Sequence, residues 1–396
     1  MTAAEVERMA ELGRAVKSTN AWACYDCGKC TATCPLSRSG ASYSPRRHVL
    51  AANLGQQQEI VLDGSVYRCL TCGLCDERCP TQVNYVQLVQ MLRELTYGAG
   101  HEPDCPHGGA LQSVMRMMAM GGTQQGRLGW LSDSLETDPA KGEVFYWTGC
   151  SMYYDAFFPD LDGASANASR AAIKLLNLLG ITPVVSPNER CCGHDLLWNG
   201  DRKSFESLAK FNVQLVAESG AKTLVTSCAE CYRTWKIDYA PYFKGAGAAP
   251  RILHLSEFLA QQAEYAEHMD QLKPKASALR KVTFQDPCRL GRHMGVYDPP
   301  RELLSAVPGI EIVEMRHHRA SATCCAGGTW TNCDRYAKQI QVGRLREARE
   351  TGAEVLVTAC PKCRIHFACA MKDPNLASEI VLPMKDLAEV LAEALV

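Results

Sequence analysis

Two stretches of this chain share one cysteine spacing, and that spacing limits what either can become. Residues 24–35 read CYDCGKCTATCP and residues 69–80 read CLTCGLCDERCP. Both follow the pattern C-x2-C-x2-C-x3-C-P, which supplies Cys24, Cys27, Cys30 and Cys34, then Cys69, Cys72, Cys75 and Cys79. Three thiols two residues apart wrap one corner of an iron–sulfur cube, and the fourth, leading into proline, swings away to the other cube of a two-cluster ferredoxin. With that crossing, Cys24, Cys27, Cys30 and Cys79 hold one [4Fe–4S] cluster, and Cys69, Cys72, Cys75 and Cys34 hold a second. Structural zinc also accepts four cysteines, but its sites pair two C-x2-C knuckles and leave the third cysteine and the C-P ending unexplained.

The chain has 396 residues, enough for two or three domains. Its 42 basic residues nearly balance 43 acidic ones, so no global field draws in nucleic acid or an anionic membrane. The N-terminal MTAAEVERMAELGRAVK has no continuous apolar core and reads as neither a secretory signal nor a membrane span. No later stretch is apolar for ~18 residues, so no direct span is expected. Twenty-one cysteines in a chain without an export signal point to metal or redox chemistry in the cytoplasm.

Between the two motifs, Arg46, Arg47 and His48 read as a solvated face, or as one turned toward a redox partner. Residues 84–97 carry apolar positions at helical spacing and are expected to cap the module. A glycine-rich break follows over 98–142.

Beyond it the chain repeats itself. EVFYWTGC ends at Cys150 and KVTFQDPC at Cys288; RCCGHD holds Cys191 and Cys192, and TCCAGG holds Cys324 and Cys325. KTLVTSCAEC ends in Cys228 and Cys231, and EVLVTACPKC in Cys360 and Cys363. The last three pairs of equivalents lie 132 or 133 positions apart, the signature of a duplicated domain. Strands alternating with helices make each copy an α/β unit, with its cysteines converging where such sheets place their chemistry. The expected organisation is a two-[4Fe–4S] ferredoxin-like, mainly α-helical module over 1–100, a linker over 101–142, and α/β domains over 143–265 and 280–396. Adjacent cysteines point apart, which suits a multi-iron cluster better than a single tetrahedral ion.

The duplicated C-x(n)-CCG-x(n)-C-x2-C pattern resembles the CCG domains of heterodisulfide reductase. With the two-cubane module in front, the chain resembles the fused D-type form that joins the electron-transfer and catalytic subunits. The resemblance implies two noncubane [4Fe–4S] clusters, one on Cys150, Cys191, Cys192, Cys228 and Cys231, the other on Cys288, Cys324, Cys325, Cys360 and Cys363. It implies a catalytic subunit of a complex that reduces or forms a disulfide, small-molecule or protein-borne, with the cubanes as the wire. The alternative, an electron relay in a quinone-linked 2-hydroxy-acid (glycolate or lactate) or glycerol-3-phosphate dehydrogenase, is disfavoured because such relays often lose CCG ligands and both sets here have all five cysteines.

Two positions depart from the family pattern. Ala326 stands where CCG has glycine, leaving Gly327 and Gly328 to supply the turn. Arg289 stands where the family often carries histidine, and a guanidinium cannot exchange protons near neutrality. His194 and His293 are the candidate proton donors. Cys105, Cys333 and Cys369 fall outside every motif. With no dinucleotide-cradling or Walker loop, electrons must come from or go to another subunit of flavin, hydrogenase-like or cytochrome type, which is also the expected route to any peripheral membrane attachment.

Overall fold

The computed structural model describes residues 3–56, 59–60, 63–122, 125–161, 165–245, 247–262, 267 and 280–394. The expected edge of the first CCG domain, at 265, lies outside them. The chain forms two compact units: one of residues 1–120, 193–206 and 326–341, the other of 121–192, 207–325 and 342–396.

The second unit is built on two parallel sheets. Strands β1 (Val144–Tyr146), β2 (Thr223–Thr226) and β3 (Arg251–His254) lie in the order β1-β2-β3. Strands β4 (Arg280–Gln285), β5 (Ile310–Ile312), β6 (Val355–Thr358) and β7 (Met384–Asp386) lie in the order β5-β4-β6-β7. A bridge between Phe145 and Val184 occupies the edge of the first sheet that β5 fills in the second, so the two topologies match. The runs TLVT and VLVT are short, β-branched and buried, as strands covered on both faces require. Parallel strands need crossovers, and the helices Ser165–Leu178 and Asp298–Ala306 lie within them.

The two halves exchange helices. The helix after β3, Leu255–Ala260, packs on Asp298–Ala306 of the second half, and the helix after β7, Leu387–Ala394, packs on Ser165–Leu178 of the first. Such reciprocity is what a two-fold relation produces. His254 starts its helix with a capping box: it accepts from the Ser256 amide while Glu257 accepts from its own.

The first unit is mainly helical, with helices at Pro45–Asn53, Tyr85–Gly98 and Ala110–Met120. Tyr85–Gly98 is the expected capping helix, and the Asn84 side chain caps it by accepting from the Gln87 amide. At its centre Arg93 is fully buried. Its guanidinium donates to the carbonyls of Val66 (2.9 Å), Tyr67 (3.0 Å), Cys69 (2.7 Å) and Trp198 (2.8 Å), and to Thr329 Oγ1 (3.3 Å). Trp198 and Thr329 belong to the segments that follow the two adjacent-cysteine pairs. Asn199 and Thr329 bond each other, and Gly200, at φ +92°, sits so close to the same helix that a Cβ would fall 2.5 Å from the Arg93 carbonyl oxygen. One guanidinium thus joins three stretches far apart in sequence.

Replacing Arg93 leaves several buried carbonyls without a donor. Arg93→Met is expected to cost ~3–5 kcal/mol, read as a lowered urea midpoint. Lysine, a single point donor, will not restore it.

Candidate metal centres

The duplicated cysteine motifs adopt the same backbone twice. Asp26 and Gly28 (φ +63° and +76°) match Thr71 and Gly73 (φ +49° and +76°), so each C-x2-C loop alternates into the left-handed region and turns its thiols inward. Cys24, Cys27, Cys30 and Cys79 line one cavity, which Cys75 also borders, and Cys34, Cys69, Cys72 and Cys75 line another. The first lies toward solvent, with Cys27 exposed and Trp22 and Tyr25 largely exposed beside it; the four cysteines of the second are buried. Burial pushes the Cys34 thiol up to about 12 and lifts Cys69 and Cys75 above the ordinary range. Four buried thiols around one cavity, three of them disfavoured as thiolates by burial, are a donor set that a cationic iron core fits.

His48 does not belong to a solvent-facing patch. It is buried, with Nδ1 at 2.6 Å from Tyr85 Oη and Nε2 at 2.8 Å from Ser65 Oγ. Tyr85 Oη meets Tyr43 Oη at 2.6 Å, and Tyr43 bonds the Cys69 thiol. Burial drives the His48 imidazole down to about 4, which keeps it neutral. The helical spacing of 45–53 puts its ring on the inner face, a signal the neighbouring arginines mask.

In the second unit the cysteines stand at the carboxyl ends of parallel strands. Cys150 follows β1, Cys228 follows β2, Cys288 follows β4 and Cys360 follows β6. In the first half, Cys231 Sγ lies 3.5 Å from Cys192 Sγ, and the Cys231 amide donates to Cys228 Sγ. The buried pair Arg127–Glu189 fastens the loop before Cys150 to the segment before Cys191. Glu189 accepts from the amides of Thr148 (3.1 Å) and Gly149 (2.7 Å), and Arg127 donates to the Gly149 carbonyl. Asn212 donates to the Cys191 carbonyl (3.0 Å) and Tyr239 to that of Cys192 (2.8 Å). No motif marks these four residues, because their role depends on contacts across 21–62 positions of sequence.

The second half solves the same problem with other residues. Gln285 donates to the Thr323 carbonyl (3.1 Å) and accepts from Arg344 (2.6 Å), while Arg292 donates to the Ala322 carbonyl (2.6 Å). Arg301 grips Asp286 with both terminal nitrogens at 2.8 and 3.0 Å. Hydrogen bonding with Cys324, aided by Arg289 and Arg292, holds the Cys288 thiol below its usual range. Contacts with neighbouring thiols, together with burial, push Cys231 and Cys363 well above it. The thiols brought together in each half, Cys192 with Cys228 and Cys231 in the first and Cys325 with Cys360 and Cys363 in the second, again fit a multi-iron group.

Comparison with known proteins agrees with this layout. Residues 20–83 match the 4Fe-4S dicluster domain family, and residues 144–236 and 282–368 match the CCG cysteine-rich domain family. The chain is 29% identical to the D-type subunit of the dihydromethanophenazine:CoB–CoM heterodisulfide reductase of Methanosarcina barkeri, over 94% of this chain and 93% of that protein. The chain thus carries one 4Fe-4S dicluster domain and two CCG cysteine-rich domains, and is similar to that heterodisulfide reductase subunit over nearly its whole length. It is also 26% identical to one subunit of the fumarate reductase (CoM/CoB) of Methanothermobacter marburgensis, over 93% of this chain and 71% of that protein. With a probable membrane-anchored ferredoxin of Chromohalobacter salexigens it shares 28% identity over 94% of this chain and 59% of the other. The dicluster and CCG domains indicate bound [4Fe–4S] clusters. Among the described residues, no helix is long and apolar enough to cross a membrane.

The departures from the family pattern have structural answers. Ala326 itself takes the left-handed conformation (φ +60°) that Gly193 takes in the first motif (φ +73°), so the turn is not left to the two glycines that follow. Arg289 is buried and its guanidinium lies 2.8 Å from His293 Nε2; His293 is half-buried. His194 belongs to the first unit, where it is buried with Nδ1 2.9 Å from Asp195 Oδ1. Cys333 is exposed, and Cys105 and Cys369 are half-buried.

A Cβ on Gly149, itself at φ +70°, would sit 2.8 Å from Cys231 Sγ. Gly149→Ala is therefore expected to cost one cluster, about 4 irons per chain, with the spectra of the dicluster module unchanged. Ala326→Gly removes backbone strain and is expected to raise stability by about 0.5 kcal/mol, read as a higher urea midpoint at constant iron content.

Proposed function

We propose that this chain is the iron–sulfur subunit of a heterodisulfide-reductase-like complex, carrying electrons between a partner subunit and a disulfide. The observation that carries the reading is the completeness of both five-thiol sets, each at strand ends and each held by its own buried side chains. A simple wire needs neither set of five.

In this reading Cys24, Cys27, Cys30 and Cys79 hold one cubane cluster, and Cys34, Cys69, Cys72 and Cys75 hold the other. Cys150, Cys191, Cys192, Cys228 and Cys231 hold a noncubane cluster, and Cys288, Cys324, Cys325, Cys360 and Cys363 its counterpart. When bound, these groups supply the single electrons that sum to the two required by R–S–S–R′ + 2e⁻ + 2H⁺ → R–SH + R′–SH. The protein's part is to fix the two sets relative to one another and to keep the thiol loops rigid. Arg127 and Glu189 do this for the first set, and Arg292, Gln285 and Arg344 for the second. His293, placed by Arg289, is the candidate proton donor of the second set. The partially exposed Cys24–Cys79 site, flanked by Trp22 and Tyr25, is where a redox partner subunit approaches. Relatives named as subunits of larger reductases support such a partner, through which any attachment to a membrane would run.

The test is EPR on anaerobically purified protein, oxidised in the presence of candidate thiols, with iron and sulfide analysis. About sixteen irons per chain and a paramagnetic signal that depends on the thiol are expected. Ordinary reduced-cubane signals indifferent to thiols, with fewer irons, would transfer the chain to the relay class.

A further inference from the structure

Within the second unit, the two C-x2-C motifs touch through their central residues. Glu230 of CAEC and Lys362 of CPKC form an ion pair at 2.8 Å, with side chains only 11% and 3% exposed. These positions are equivalents in the duplication, like the cysteines on either side of them. Where two units are related by a two-fold, a residue that meets its own equivalent must stand on the axis. The reciprocal packing of the helices Leu255–Ala260 and Leu387–Ala394 on the opposite halves defines the same relation independently.

A self-paired position in a symmetric assembly would bring like charges together. Duplication within one chain lifts that restriction, and here the two equivalents are opposite in sign. Burying such a pair returns little net stability, since desolvation offsets most of the attraction. Its directional effect is different: removing either partner takes the opposite charge away from a buried group, which penalises any change in the separation of the two motifs. We propose that Glu230 and Lys362 are positioning residues that lock the two C-x2-C loops in register, so that the two sulfurs of one disulfide reach the two cluster sites together. The proposal rests on the disulfide reading above and adds to it the device that sets the gap.

The test is a double-mutant cycle on the chain purified anaerobically with its partner subunits: Lys362→Met, Glu230→Gln, their combination, and the exchanged pair Glu230→Lys/Lys362→Glu. Three quantities are read: iron content with dicluster EPR, kcat and KM for disulfide reduction, and urea midpoints. With iron content held, each single change is expected to lower kcat by on the order of 100-fold, as a small misplacement does. The exchanged pair is expected to recover most of that loss, because it restores an ion pair of opposite charges at the same two positions. Singles that match the parent, or an exchanged pair no better than the singles, overturn the proposal. If Lys362→Met does not fold, the exchanged pair decides: folding with full iron supports the register pair, and failure overturns it. If the parent reduces no disulfide, the functional reading fails. The register pair is then judged on urea midpoints alone, where non-additive losses support it and additive ones reject it.

Discussion

Buried guanidinium groups bonded to backbone carbonyls and carboxylates hold the cysteine loops of this protein. Arg93 takes the Cys69 carbonyl, Arg127 that of Gly149 and Arg292 that of Ala322, while Arg301 grips Asp286 and Arg344 the Gln285 side chain. A thiol loop alone is irregular backbone with few internal hydrogen bonds, and burying it leaves carbonyls in want of donors. A guanidinium presents several donors in a fixed plane, so one side chain satisfies carbonyls from different segments and freezes their separation. Its own desolvation is tolerated because acceptors surround it.

The duplication is conserved as topology rather than as chemistry. Both halves set cysteines at the carboxyl ends of parallel strands, yet the first ties its leading loop with the internally neutral pair Arg127–Glu189. The second surrounds Cys288 with Arg289 and Arg292 and keeps its thiol below the ordinary range. The two cysteine sets therefore sit in different fields.

Much of this is legible in the chain. Cysteine spacing depends on local backbone geometry, so the two dicluster motifs, the two CCG sets and the α/β repeat appear as patterns in the sequence, as does the helix Tyr85–Gly98. His48 escapes such a reading because two exposed arginines flank it, and only its hydrogen bonds to Tyr85 and Ser65 reveal an inward ring. The methionine-rich helix divides likewise: Met115 and Met118 are buried, while Met117 and Met120 are exposed. Gly327 and Gly328 are natural choices for a left-handed turn, since glycine adopts it freely. Ala326 takes that conformation nonetheless, directly after the cysteine pair, where Gly193 takes it in the first motif.

By itself the sequence determined which thiols can act together and which fold class delivers them, because both follow from short-range spacing and from a repeat that returns at a near-constant interval. Only the tertiary structure decided that residues 193–206 and 326–341 join the first unit around Arg93, that Arg127, Glu189, Asn212 and Tyr239 serve the first CCG set, and that Glu230 meets Lys362. These are contacts between residues distant in sequence, made by ordinary residue types whose single occurrence forms no pattern. Their meaning arises when packing removes water and sets each buried donor or charge against its partners.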